Sequence, residues 1–318
     1  MTRCRVHTIS IVILSLTTIP SMAAAQNRDP TKTPVVYAVP GMNQVVVRSN
    51  IVFDSTTATP LAVDAYLPRD LRKGERRPAI IFISGGERVR QWRWYITWGQ
   101  LAAAHGIVGI VPDKRYQRGI GGTRTGFEDT EKLLAFLQSK ADTLSIDPQR
   151  ICLWTFSAGG RLTSVGLQTS KADSSSAPGG TNQAGIPAAL PGSTSGKIRC
   201  LVSFYGFLDM SGELASVTSE AEREPLLKRY SPVQALESLI ASGGKSPPMF
   251  IARAGKDSAL INNGIDRFVA TALRLNALIT AVNYADGEHG FDGYNDTDES
   301  RAIIKAALRF VQEHSADH

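Results

Sequence analysis

The stretch Ile151-Cys-Leu-Trp-Thr-Phe-Ser157-Ala-Gly-Gly-Arg161 decides the fold of this chain. Its first six residues are mostly apolar, as in a strand buried on both faces, and the small residues Ala158 and Gly159 let a helix begin close to that strand. A serine at this junction stands on a sharp turn that lifts its hydroxyl clear of the sheet, which suits a nucleophile. The pattern G-x-S-x-G is half present, because Thr155 replaces the first glycine. The alternative is a serine that caps an ordinary helix.

Apolar runs of the same kind recur along the chain, separated by longer segments of helical periodicity. They span 79–83, 107–111, 198–205, 249–254 and 279–284. Such strands, separated by helices, indicate a parallel sheet covered on each face. Two earlier strands, 45–53 and 61–67, are joined by the turn 57–60 and predict an antiparallel hairpin. We therefore predict an α/β fold with one mostly parallel, doubly wound sheet and an N-terminal antiparallel hairpin.

Three of the intervening segments carry apolar stripes at helical spacing. Their members are Phe127, Leu133, Leu134 and Leu137; Ile265, Phe268, Ala272 and Leu275; and Ile304, Ala307, Leu308 and Val311.

The overall composition is that of a globular protein. Of the 318 residues, 42% are hydrophobic and 20% charged, which excludes a disordered or collagen-like chain and a multi-span membrane protein. Three cysteines cannot build a disulfide scaffold, so the fold must rest on a packed core.

The N-terminus has the pattern of a secretory signal peptide. Arg3 and Arg5 precede the apolar run 9–19, and Ala23-Ala24-Ala25 places small residues before a cut at Gln26. The alternative, an uncleaved membrane anchor, is disfavoured because the run is far shorter than the roughly 20 residues of a spanning helix. We predict a signal peptide over 1–25, export to the periplasm or the medium, and no stable membrane anchor after cleavage. Residues 26–318 then form one domain, with a flexible, Ser- and Gly-rich insertion over 171–197.

The net charge bears on the class of binding partner, and the two cysteines after the leader bear on the redox state of the fold. The formal net charge is +6, part of it lies in the leader, and the basic residues are scattered, so no nucleic-acid partner is expected. Cys152 and Cys200 fall in predicted buried strands. Two free thiols are the favoured interpretation, and a disulfide is the alternative that export permits.

The histidine count selects one candidate base for Ser157. His7 leaves with the leader, and His314 and His318 lie in the polar C-terminal tail. His105 ends a predicted helix before Gly106, where a cation is favourable. His289 remains, just past the last strand and at the same sheet edge as Ser157. Too few histidines are left to assemble a metal site, and we expect no cofactor.

The acid should lie between serine and histidine in the chain. Asp257 directly follows the strand 249–254, whereas Asp266 lies on a helix and Asp286 and Asp292 flank the histidine itself. Asp257 is therefore the predicted acid. For the oxyanion we expect one backbone N–H donor from Ala158 and a second from the loop Ser84-Gly85-Gly86-Glu87.

The segment after this loop is rich in aromatic and basic residues. Its aromatic residues are Trp92, Trp94, Tyr95 and Trp98. They form either the buried face of the following helix, which is favoured, or the lining of an acyl or sugar pocket. Arg88, Arg90 and Arg93 are either solvated or steer carboxylate-bearing substrates. The glycine-rich stretch 119–122 lacks a following Lys-Ser/Thr and is not a phosphate loop.

From about Val35 to Val311 the chain resembles an α/β-hydrolase of the small esterase group that includes feruloyl/acetyl-esterase-like and dienelactone-hydrolase-like enzymes. The matching motifs are S-G-G at 84–86, D-P-Q-R-I at 147–151, F-S-A-G-G at 156–160, Y-S-P-V at 230–233, P-P-M-F-I-A-R-A-G-K-D at 247–257 and G-E-H-G-F-D at 287–292. The resemblance implies a catalytic triad of Ser157, Asp257 and His289, and an oxyanion hole near Gly86, Glu87 and Ala158.

Two departures from the family pattern predict low activity or an unusual substrate. Ser84 stands where many relatives have histidine, and Thr155 where most have glycine. Dienelactone hydrolases proper carry a cysteine nucleophile, so Ser157 argues against that activity.

We therefore predict a serine hydrolase that cleaves carboxylic esters, of a small molecule or a polysaccharide, through an acyl-enzyme. One alternative is a prolyl-oligopeptidase-type peptidase, although no repeat domain precedes this domain. A second is a lactone or dienelactone-like hydrolase. A third, of another class, is a non-catalytic binding protein of the same fold, which predicts a missing triad member, and none is missing. Acyl and alcohol specificity and the oligomeric state are left open by the sequence.

Overall fold

The computed structural model describes residues 28–115, 119–169 and 198–316. The predicted signal peptide and the predicted insertion 171–197 lie outside these ranges. Within them, the strands are β1 (Val46–Asp54), β2 (Leu61–Leu67), β3 (Arg77–Ile83), β4 (Val108–Pro112), β5 (Ile146–Phe156), β6 (Ile198–Phe204), β7 (Met249–Ala254) and β8 (Ile279–Tyr284). None of the helices in these ranges is long and apolar enough to cross a bilayer.

The strands form one sheet in the order β1-β2-β4-β3-β5-β6-β7-β8. Strand β2 pairs antiparallel with both β1 and β4, and every other pair is parallel. The predicted fold class is confirmed, including the N-terminal hairpin. In a parallel sheet of this kind the loops at the carboxyl ends of the strands gather at one edge, where ligand sites form.

Helices cover both faces of the sheet. They are α1 (Arg93–Ala104), α2 (Gly119–Ser139), α3 (Ala141–Leu144), α4 (Thr163–Thr169), α5 (Glu220–Tyr230), α6 (Pro232–Ala241), α7 (Ala259–Arg274), α8 (Phe291–Tyr294) and α9 (Asp298–His314). The stripes of α2 and α7 pack on one face with α4 and α6, and α1 and α9 pack on the other. Neighbouring residues of β3 show the two-sided burial: Ile81 faces the first layer and Phe82 the second. The core therefore packs against both faces of the central strands, whereas the edge strands β1 and β8 are largely exposed.

Cys152 and Cys200 form a disulfide, so the prediction of two free thiols is wrong. They lie directly opposite each other on the parallel strands β5 and β6, with Cα atoms 4.7 Å apart. Both are wholly buried in the layer beneath α1. The register of β5 and β6 decides this pairing of two cysteines 48 positions apart, and no local sequence pattern predicts it.

Three of the four aromatic residues in the segment before β4 form the buried face of α1, as the favoured interpretation held, whereas Trp92 lies just before the helix and is half-buried. Trp94, Tyr95 and Trp98 are buried against the sheet. Arg90 is also largely buried, and its guanidinium pairs with the carboxylates of Asp64 and Asp113. It links the loop after β3 to β2 and to the end of β4, so its role is structural.

Candidate active site

Three loops at the carboxyl edge of the sheet bring Ser157, Asp257 and His289 together. Ser157 follows β5, Asp257 follows β7, and His289 follows β8. The parallel arrangement of these strands places residues distant in sequence at the same edge. This is the juxtaposition that strand order and motif position predicted.

The three side chains form a continuous hydrogen-bonded chain. The Nε2 atom of His289 lies 2.9 Å from Ser157 Oγ, and its Nδ1 atom lies 2.6 Å from Asp257 Oδ2. An ionised carboxylate only accepts, so Nδ1 carries the proton and Nε2 is left to accept the serine hydroxyl. The other oxygen, Asp257 Oδ1, accepts the Ser258 N–H at 2.7 Å, and the carboxylate side chain is 5% exposed. The hydrogen bond from the Ser258 N–H therefore holds the Asp257 carboxylate in the position from which it orients the imidazole.

The backbone at Ser157 is strained. Its φ is +51°, in the left-handed region that non-glycine residues rarely adopt. The turn is tight because backbone atoms of two other segments, the end of β3 and the loop after β6, lie close to it. A Cβ on Gly159 would stand 2.5 Å from the Ile83 carbonyl oxygen, and one on Gly160 would stand 2.5 Å from the Phe207 nitrogen. Only glycine fits these two positions, and their close approach exposes the serine hydroxyl.

The loop after β3 lies against the residue that follows Ser157. A Cβ on Gly85 would stand 3.0 Å from the Ala158 nitrogen, so the two backbones are nearly in contact. The Ser84 hydroxyl accepts the Gly86 N–H at 3.1 Å and donates to the Gly86 carbonyl at 2.9 Å. The predicted donors Gly86, Glu87 and Ala158 therefore come from two segments that meet beside the serine.

Residues 63–269 match the model of the BD-FAE family, a family of esterases with the α/β-hydrolase fold. The chain belongs to the BD-FAE family. The resemblance inferred from the sequence motifs is thereby confirmed.

Solved structures with the fold of this BD-FAE-family chain include a thermophilic esterase from the planctomycete Thermogutta terrifontis. The native form is 21% identical, with a TM-score of 0.62 over 86% of this chain and 94% of that chain. Its propionate-bound form is 20% identical, with a TM-score of 0.60 over the same shares of the two chains. The form phosphorylated by paraoxon is 19% identical, with a TM-score of 0.60 over 86% and 93%. No curated protein matches the chain.

Thr155, one of the two departures from the family pattern, is accommodated by a polar partner. Its side chain is wholly buried, and its hydroxyl lies 3.1 Å from the Thr163 hydroxyl and 3.3 Å from the Val202 carbonyl oxygen. A buried hydroxyl with two partners carries little desolvation penalty. The Thr155 side chain is therefore accommodated behind the turn, and the hydrogen bonds between Ser157, His289 and Asp257 form in its presence.

Sequence reasoning missed one residue of the site, Tyr205. It directly follows β6 at the same edge, and its ring centroid lies 4.7 Å from that of His289. Its φ of +39° shows that the backbone is held in an unfavourable conformation there. The position just past a parallel strand was the signal that could have found it.

A small cavity opens beside Ala158 on the side of α2. Its volume is about 20 Å³, room for one small group, and its charged lining residues are Lys114 and Arg161. Burial lowers the pKa of Lys114 to about 8. Arg161 forms an ion pair with Glu213 and stacks on Phe207, so it is held within the protein. Among the described residues, no group of His, Cys, Asp and Glu side chains is arranged to hold a metal ion.

Proposed function

We propose that this chain is an exported serine hydrolase that cleaves carboxylic esters through an acyl-enzyme. The observation that carries the proposal is the hydrogen-bonded chain Ser157–His289–Asp257 beside the Ala158 N–H. The three groups have the geometry that a nucleophile, a general base and an orienting acid need.

The reaction follows from the roles of these atoms. Ser157 Oγ attacks the ester carbonyl carbon while its proton moves to His289 Nε2. The tetrahedral intermediate collapses when Nε2 gives that proton to the departing alcohol oxygen, which leaves an acyl-serine. Water then attacks the acyl carbon while Nε2 takes one of its protons, and Nε2 returns this proton to Ser157 Oγ as the bond between that oxygen and the acyl carbon breaks and the acid product leaves. Asp257 keeps the imidazole in the required tautomer and stabilises its protonated form.

The negative charge on the carbonyl oxygen needs preorganised donors. We assign Ala158 N–H as the first, with Glu87 and Gly86 as the candidates from the loop after β3. The Gly86 N–H already donates to the Ser84 hydroxyl, which favours Glu87 as the second donor. Ser84 then organises this loop at the position where many relatives carry histidine.

The esterase from Thermogutta terrifontis supports a short carboxylic acid as the acyl group. Structures of that protein contain propionate or butyrate, and it is phosphorylated by paraoxon. Organophosphates of this kind modify a nucleophilic serine, the role proposed for Ser157. These observations are made on a relative, and we extend them to this chain as a proposal.

Export has two independent supports. The leader over 1–25 has the charge, apolar run and small residues of a cleaved signal peptide. The Cys152–Cys200 disulfide suits an oxidising compartment such as the periplasm or the medium. Expression of the full chain in a bacterium, followed by fractionation and N-terminal sequencing, tests it. We expect periplasmic or secreted protein that begins at Gln26, and cytoplasmic protein that retains Met1 would contradict export.

Hydrolysis of p-nitrophenyl esters from acetate to octanoate tests the activity. We expect the wild-type protein to cleave the shorter esters and Ser157→Ala to lose several orders of magnitude in kcat. Ser164→Ala is the matched control, because the Ser164 hydroxyl donates to the Tyr230 carbonyl away from the site. Full activity in Ser157→Ala, or no esterase activity in a folded wild-type protein, would overturn the proposal.

A further inference from the structure

A carboxyl group that takes no direct part in the proposed reaction lies wholly buried behind His289. Asp292 Oδ2 accepts the indole N–H of Trp94 at 2.8 Å and that of Trp98 at 2.9 Å. Asp292 Oδ1 accepts the Tyr205 hydroxyl at 2.5 Å. The carboxyl group, on α8 three residues after His289, thus joins α8 to α1 and to the residue that follows β6.

Tyr205 connects this buried group to the catalytic base. Its hydroxyl is held by Asp292, and its ring packs on the imidazole with a centroid distance of 4.7 Å. The backbone N–H of Tyr205 donates to the Ala252 carbonyl at 2.8 Å, which fixes the other end of the residue. The ring is therefore anchored at both ends where it meets His289.

We propose that Asp292 is a positioning residue for His289 and that it acts through Tyr205. The proposal rests on the proposed function, because it concerns the base of that same reaction. With its hydroxyl held by the carboxyl group, the Tyr205 ring limits how the imidazole tilts. Nε2 then stays directed at Ser157 Oγ while Nδ1 stays on Asp257. Small errors in such alignment are costly, since a displacement of about 1 Å can slow a reaction about a hundredfold.

The energetics of burial favour a functional role for this carboxyl group. Its three side-chain donors are neutral groups, and burial raises the pKa of Asp292. Apolar side chains in place of both the carboxyl group and its donors would fill the space without this desolvation cost. What the carboxyl group adds is the fixed placement of its donors, and Tyr205 is the donor that contacts His289.

Two isosteric variants test the proposal. Tyr205→Phe keeps the ring and removes the hydroxyl, and Asp292→Asn keeps the shape and weakens acceptance of the three donors. The matched control is Tyr284→Phe. Tyr284 is also buried, its hydroxyl bonds to Thr297 at 2.8 Å, and its ring packs on Phe291.

The primary measurement is kcat per active serine, with the serines counted by a phosphonate probe so that misfolded protein is excluded. We expect Tyr205→Phe and Asp292→Asn each to lower kcat about tenfold or more, with KM within about twofold of wild type. The double variant should fall no further than the more damaged single variant, because both changes break one connection. Tyr284→Phe should keep the wild-type kcat per active serine.

A second measurement reads the position of His289 without turnover. The low-field proton resonance of the imidazole N–H that Asp257 accepts should shift or broaden in Tyr205→Phe and remain unchanged in Tyr284→Phe. Wild-type values of both kcat per serine and this resonance in Tyr205→Phe would overturn the proposal, even if the variant melts earlier. Additive losses in the double variant would also overturn it. If Asp292→Asn does not fold, Tyr205→Phe decides alone, and Ser157→Ala tests the proposed function separately.

Discussion

The hydroxyl of Thr155 lies 3.1 Å from the hydroxyl of Thr163, across the turn that carries Ser157. One residue lies near the end of β5 and the other begins α4. Both are buried, so this contact fills the space behind the turn at the first position of the G-x-S-x-G pattern, where this chain has threonine.

We predict that Thr155→Val destabilises the fold and spares catalysis. The change leaves the buried Thr163 hydroxyl without its partner and should lower the free energy of unfolding by about 1 kcal/mol. The double variant Thr155→Val/Thr163→Val should lose no more than the single, because both polar groups are gone. Denaturant titration with parallel kcat measurements checks this. Thr169→Val, which removes a hydroxyl bond to the Gly166 carbonyl within α4, is the control. An unchanged stability of Thr155→Val would contradict the prediction.

Gly159→Ala should damage catalysis. The added Cβ would stand 2.5 Å from the Ile83 carbonyl oxygen and 2.7 Å from the Ser84 carbonyl oxygen, so the end of β3 and the loop after it must move. We expect kcat to fall about a hundredfold, since the donors then miss the developing charge. Gly126→Ala is the matched control, because its Cβ would meet Leu162 at an ordinary 3.4 Å. Equal kcat values for the two variants would show that the loop tolerates the displacement.

Loss of the disulfide should lower stability and leave the chemistry in place. Cys152 and Cys200 close a loop with a sequence separation of 48, and a bridge over a loop of this length contributes about 4 kcal/mol in the chain-entropy account. We expect Cys152→Ala/Cys200→Ala to unfold at lower denaturant with kcat retained. Each single variant should lose as much as the double, because each already breaks the bridge. The wild-type protein is also unfolded without a reductant and treated with a thiol reagent. Full reaction of both cysteines would contradict the bridge.

The Asp54–Lys132 ion pair predicts a pH dependence of stability. Burial opposes the charge on Asp54, but the hydrogen bonds from Lys132 and Thr56 outweigh it and lower the pKa of Asp54 from 3.8 to about 2. A pKa depressed by folding adds stability above about pH 4, and this stability is lost as the pH falls from about 4 to about 2.

The stability difference between wild type and Asp54→Asn, measured by urea unfolding, should therefore be largest above pH 4 and shrink toward pH 2. The control is Glu224→Gln, which breaks the Lys228–Glu224 pair on the surface, where both side chains are 59% exposed and solvent screens the charges. Its stability difference should be small at every pH. A constant difference for Asp54→Asn would show that the ion pair does not govern its ionisation.

Periodicity predicted the strands well, most directly where the sheet buries a strand on both faces, as it does β7. Strands β7 and β8 have the predicted bounds, 249–254 and 279–284. Strand β5 begins at Ile146, five residues before its apolar run, because Ile146 pairs with Arg77 on β3. Polar residues that extend a strand only through such pairing show no apolar pattern in the sequence, so periodicity does not predict them.

The candidate site followed from the position of each polar residue after a parallel strand. Ser157, Asp257 and His289 could be chosen in this way, and the structure brings them within hydrogen-bonding distance. The Thr155–Thr163 contact, the disulfide and the Tyr205–Asp292 connection could not. Each depends on register or on packing between distant segments, which local spacing does not encode.

The central claim is that Ser157 is the nucleophile, and covalent labelling tests it most directly. The folded protein is treated with a phosphonate ester, and the adduct is located by intact-mass measurement and peptide mapping. The account predicts one adduct per chain, on the peptide that contains Ser157, and none in Ser157→Ala, with Ser164→Ala labelled like wild type. An adduct on a different residue, or none on a protein that still hydrolyses esters, would contradict it.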